Sequence, residues 1–175
     1  MSAGGMVSVP RASAAGFALG LMWGAAARVW MRLISTDPEF SWTGTGMILG
    51  STAVCGAALG FLYGARRAGW SRWWRLLGLC WLFVFAGPGI VFLPAFLLGG
   101  LLRLRQIWWK VIGAAAVAGG VLLLWILNQQ ELVAVNPVTM YGGFLLLSLA
   151  LAVGAAELYL PRPARHRQPA EALAR

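Results

Sequence analysis

Apolar positions in this chain run in long unbroken stretches, without the alternation of a half-buried strand. They cover roughly 12–34, 43–64, 76–102, 107–127 and 140–160. Each is close to or above the ~20 residues that a helix needs to cross a bilayer. Polar residues gather in the short connections between them. The pattern predicts an all-α membrane protein with four transmembrane helices plus a short, Gly/Pro-broken helical hairpin. The alternative is five transmembrane helices.

The stretch 76–102 separates those two readings. It is broken by Gly87, Pro88 and Gly89 and again by Pro94. Read as one kinked helix, it spans. Read as two short arms, it enters and returns on one side. With the N-terminus inside, the hairpin puts Arg11, Arg66, Arg67, Arg72, Arg75, Arg103, Arg105, Lys110, Arg162, Arg165, Arg167 and Arg175 in the cytoplasm, 12 of the 14 basic residues. The better orientation of a single span gathers Arg28, Arg32, Arg103, Arg105, Lys110 and the four tail arginines, 9 of 14. Cytoplasmic loops carry an excess of Lys and Arg, so the hairpin is favoured. The segment 73–78 (Trp-Trp-Arg-Leu-Leu-Gly) also resembles 108–113 (Trp-Trp-Lys-Val-Ile-Gly), as if both approached the membrane from the same side. Arms this short must keep their broken backbone against protein or a wet cavity.

The first stretch has a defined face. Gly16, Gly20, Gly24, Arg28 and Arg32 recur at spacing four, which stacks them along one side of a helix. The three glycines suit close packing against the second stretch, itself rich in Gly46, Gly50, Gly56, Gly60 and Gly64. A signal peptide is the rival reading, with cleavage after Ala27. Against it, the apolar pattern resumes at Val29, Trp30 and Met31. Asp37-Pro38 ends the first helix, and Asp37 is a candidate cap for the next.

Composition narrows the class. Charged residues make up 11% of the chain, against about 25% in soluble domains, and the mean hydropathy is +0.75. A net charge of +9 raises nucleic acid as a partner. The arginines lie beside apolar spans, however, so the expectation is no nucleic acid and attraction to anionic lipid at the cytoplasmic face. Cys55 and Cys80 fall inside apolar runs and read as buried hydrophobes. No catalytic, cofactor-binding or metal-ligating pattern stands out. The expectation is a protein without cofactors that is not an enzyme.

The polar candidates are few. Arg28 and Arg32 close the first helix, and Asp37 and Glu39 follow in the turn. An arginine deep in a span costs about 2.5–3.5 kcal/mol, so these four are expected to form a neutral polar cluster. It would either fix the turn or present an arginine to an anion. Glu157 is the one carboxylate within an expected span. It would pair with Arg162 or an arginine of 66–75, or relay protons.

The segments 30–35 (Trp-Met-Arg-Leu-Ile-Ser) and 38–42 (Pro-Glu-Phe-Ser-Trp) resemble those of small bacterial integral membrane proteins of uncharacterised function. The resemblance implies a bacterial inner-membrane setting and supplies no activity, ligand or catalytic residue. The expected layout is a flexible tail over 1–11, one transmembrane domain over 12–160 and a basic cytoplasmic tail over 161–175, with both termini cytoplasmic. Two function classes follow. One is a helix-packing, interaction or accessory membrane component, with a membrane-protein partner or second copy. The other is a small transporter or channel contacting an anionic solute through Arg28 and Arg32.

Overall fold

The computed structural model describes residues 8–35, 40–86, 88–128 and 136–161. Helices α1 (Val9–Ile34), α2 (Trp42–Ala68), α5 (Ile107–Asn128) and α6 (Pro137–Ala155) are the long ones. All four are long and apolar enough to cross a membrane. Between α2 and α5 lie the short α3 (Trp81–Val84) and α4 (Leu93–Gly99), linked by 3₁₀ turns over Arg72–Cys80, Pro88–Phe92 and Gly100–Arg103. A 3₁₀ turn, Ala156–Leu158, continues α6. The described residues are helical apart from short connections, as befits a multi-pass membrane protein.

Local chemistry sets the helix ends. α1 begins at Val9, ahead of the expected residue 12, because Pro10 sits in its first turn, where proline loses no hydrogen bond. The expected cap of α2 at Asp37 is corrected: α2 starts at Trp42, and Ser41 Oγ accepts from the Gly44 N–H at 3.2 Å. Its far end closes at Gly69, whose φ of 79° favours glycine. The N–H of Trp70 then donates to the Ala65 carbonyl. α6 starts at Pro137, not 140, and Asn136 Oδ1 caps the Val138 N–H at 2.9 Å. α1 passes unbroken through Ala25, Ala26 and Ala27 and buries Ala27 and Trp30 in the core.

α1 and α2 run antiparallel in backbone contact. A Cβ built on Gly16 would lie 2.3 Å from the Gly56 carbonyl oxygen, and one on Gly20 would lie 2.2 Å from that of Thr52. Gly24 faces the Thr52 side chain, and Gly60 and Gly64 face Ala12 and Val9. Such an approach leaves no room for a side chain.

The segment 72–103 forms the hairpin. Its inbound arm passes Gly78 against Leu158, and its outbound arm passes Gly100 against the Ala155–Ala156 backbone. Both arms therefore meet the same end of α6. Between them the chain reaches inward until the Val91 carbonyl lies beside Gly120, thirteen residues into α5 and about 20 Å from its start. Phe85, Val91, Phe92, Ala95 and Phe96 are buried there, which gives the irregular backbone protein cover. The five-span alternative is not what forms. Pro94 lies in the first turn of α4; Gly87 is outside the described residues, as is the Pro88 side chain.

This path brings Arg11, Arg66, Arg67, Arg75, Arg103, Arg105 and Lys110 to one end of the bundle and leaves Arg28 and Arg32 at the other. Ser71 and Gln106 are exposed near the basic end. With Cys55 and Cys80 replaced by alanine, single cysteines at Ser71 and Gln106 are expected to react with an impermeant maleimide from the same side of the membrane. Labelling from opposite sides would reject the hairpin.

Candidate functional site

Two polar sites stand at opposite ends of the bundle. At the end away from the basic cluster, Arg28 is half-buried and its Nε donates to Thr45 Oγ1 at 3.2 Å. Thr45 Oγ1 in turn donates to the Ser41 carbonyl at 2.8 Å. The arginine is thereby tied to the first turn of α2. Arg32 is exposed, with its guanidinium 5.2 Å from the Phe40 ring centroid, a cation–π distance. Asp37 and Glu39, the expected acidic half of this cluster, lie outside the described residues.

At the basic end the interactions are denser. Arg66, in the last turn of α2, reaches Glu157 Oε2 through Nε at 3.0 Å and Nη2 at 2.8 Å. Its Nη1 donates to the Pro161 carbonyl at 2.9 Å. The two side chains are 15% and 12% exposed, so the pair sits where water screens it only in part. Arg75 Nη2 donates to the Leu160 carbonyl at 2.8 Å. The Tyr159 hydroxyl donates to the Leu97 carbonyl in α4, and burial pushes the phenol pKa upward. The end of α6 is thus clamped by α2, the inbound arm and the outbound arm. Of the expected partners for Glu157, the structure selects Arg66; Arg162 lies outside the described residues.

Three tryptophans tie the interior together, a role that the sequence reading did not assign. Trp23 Nε1 donates to the Leu147 carbonyl at 3.0 Å, and Trp81 Nε1 to that of Cys55 at 3.1 Å. Trp30 Nε1 is shared between the carbonyls of Thr139 and Met140. The signal was available: an indole N–H inside an apolar span must find an acceptor. Around them Trp23, Trp30, Trp81, Phe92 and Phe144 make edge-to-face and stacked contacts. Cys55 is buried and Cys80 half-buried, both as free thiols. Among the described residues, no group of three or more His, Cys, Asp or Glu gathers as a metal site would require.

α1 and α6 meet at Trp23 and Trp30 and separate toward the basic end. The gap is a cavity of about 710 Å³. Its floor is Gly16, Gly20, Leu59, Gly60 and Trp81, and its rims are Ala15 and Leu19 on α1 and Ala150 and Val153 on α6. Arg11, Tyr63 and Glu157 stand at its basic end. The rims are exposed, so the cavity opens sideways, toward lipid if the long helices span.

Comparison with known proteins returns no match among family models, curated proteins or solved structures.

Proposed function

We propose that this is a packing and interaction component of a bacterial inner membrane, an accessory protein and not an enzyme, with its basic end and both termini in the cytoplasm. The observation that carries the reading is the second glycine face of α2. Gly56, Gly60 and Gly64 are filled by α1, whereas Gly46 and Gly50 have nothing within 4 Å of a built Cβ. They are exposed together with Met47, Ser51 and Val54. A pair of glycines at spacing four lets a further helix approach, and Ser51 can bond across such an interface. The internal use of polar groups supports the same reading, because Arg66, Glu157 and the buried indoles all bond within the chain. The orientation rests on the positive-inside rule. For the transporter class, Arg28 and Arg32 are the candidate contacts, and their seats on Thr45 and Phe40 favour fixing a turn over lining a path.

The test is assembly size in nanodiscs. Wild type is expected to associate with a second helix-bearing chain, its own copy or a co-expressed membrane protein. Gly46→Leu with Gly50→Leu is expected to abolish that association at unchanged monomer melting temperature. A wild type that stays a lone chain, or a double variant that assembles as before, would remove the reading.

A further inference from the structure

We infer that the lateral cavity between α1 and α6 is a binding site for one anionic phospholipid, with an acyl chain in the groove and the phosphate at its basic mouth. The inference does not depend on the glycine face of α2, which lies elsewhere on the molecule.

Depth is the first argument. The groove follows α1 from Arg11 to Trp23, twelve residues or about 18 Å. One leaflet of a bilayer has a hydrocarbon depth of about 15 Å, half of the whole core. The groove therefore begins where headgroups lie and ends near the bilayer centre, where Trp23 on α1 bonds to α6 and closes it. A site open to both leaflets, or to water, would not stop there.

Shape and chemistry agree. The floor is smooth because it is made from the same glycines that bring α1 and α2 together, and its walls are alanine, leucine, valine and tryptophan. A volume of about 710 Å³ lies within the roughly 300–1,000 Å³ usual for small-molecule sites. The groove is apolar along its length and polar at one end only. That is the form of a lipid tail with its headgroup.

Charge selects the headgroup. Glu157 is neutralised by Arg66 across the mouth. Arg11 lines the mouth and makes no ion pair among the described residues. Tyr63 lines it too, with the Arg67 guanidinium 4.9 Å from its ring centroid. Counting Arg11, Arg66, Arg67 and Glu157, the mouth carries a net positive charge that a phosphodiester complements. A zwitterionic headgroup would bring its own cation against Arg11.

Native mass spectrometry of the full chain, released from nanodiscs of equal palmitoyl-oleoyl phosphatidylglycerol and phosphatidylethanolamine, tests this. Wild type is expected to retain one phosphatidylglycerol in preference to phosphatidylethanolamine. Arg11→Gln is expected to reduce that preference about fivefold, the effect of one basic residue near a charged membrane surface. Ala150→Trp, which fills the groove from its exposed rim, is expected to lose the retained lipid. If Ala150→Trp fails to fold, Arg11→Gln alone decides, because its side chain is exposed. Equal retention of the two lipids by wild type, an unchanged preference in Arg11→Gln, or full retention in a folded Ala150→Trp overturns the inference. So does retention of added oleate in place of the phospholipid, or a second copy covering the groove.

Discussion

Gly20→Leu is expected to abolish the folded bundle. A Cβ at residue 20 lies 2.2 Å from the Thr52 carbonyl oxygen and 2.9 Å from the Gly56 Cα. These are backbone atoms, which cannot rotate aside as a side chain can. Overpacking a core typically costs about 1–3 kcal/mol and occasionally more. Here the helices must separate along the whole interface, so the loss lies at or beyond the upper end of that range. Even Gly20→Ala is expected to lower the melting temperature in detergent. Gly46→Ala provides the control on the neighbouring helix. It meets nothing and gains helix propensity worth about 0.5–1 kcal/mol, so its melting temperature should hold or rise. Equal stability for Gly20→Leu and wild type would mean that α1 and α2 do not touch through their glycines.

The second large effect belongs to Arg66 and Glu157. Glu157→Gln leaves a partly buried guanidinium without its carboxylate. Removing one partner of a buried pair costs about 3–5 kcal/mol. With exposures of 15% and 12%, the expected loss sits at or below the lower end. Arg66→Ala should cost a similar amount, since it also frees the Pro161 carbonyl. The double variant, Arg66→Ala with Glu157→Gln, is expected to recover more than half of the summed losses, because no lone charge remains. The readout is a double-mutant cycle on thermal unfolding. Strictly additive losses would show that the pair contributes nothing to holding α2 and α6 together. The cycle also bears on proton relay by Glu157, because its Oε2 is already engaged by two nitrogens of one arginine.

The helix count was legible because a bilayer demands long apolar runs, and such runs are a local property of sequence. The hairpin was legible for a related reason. Arg66, Arg67 and Arg75 on one flank, and Arg103, Arg105 and Lys110 on the other, can share a side only if the chain between them returns. Helix ends were less legible. Pro10 reads equally well as tail or as the first turn of a helix, and Asp37 competes with Ser41 as a cap four residues away. In that contest local propensity is balanced, and the packing of Trp42–Ala68 against α1 decides. The partner of Glu157 could be narrowed to an arginine but not chosen, since the choice depends on which ends of α2 and α6 meet. The groove was illegible. It arises because α1 and α6 diverge from Trp23, and divergence of two helices far apart in sequence leaves no mark in either.

The hairpin carries a consequence for biogenesis. Its arms are too short to cross a bilayer alone, and their broken backbone needs protein around it. Much of that protein is α6: Phe92 stacks on Phe144, Gly100 rests on Ala155 and Ala156, and Tyr159 reaches Leu97. α6 also leaves the ribosome after the hairpin, since it follows it in the chain. The segment 72–103 therefore emerges before its cover exists, and it packs into place only when α6 arrives to receive it. Insertion and tertiary folding are one event for this segment, and a nascent chain that stops short of α6 displays an unfinished hairpin to the cell's membrane proteases.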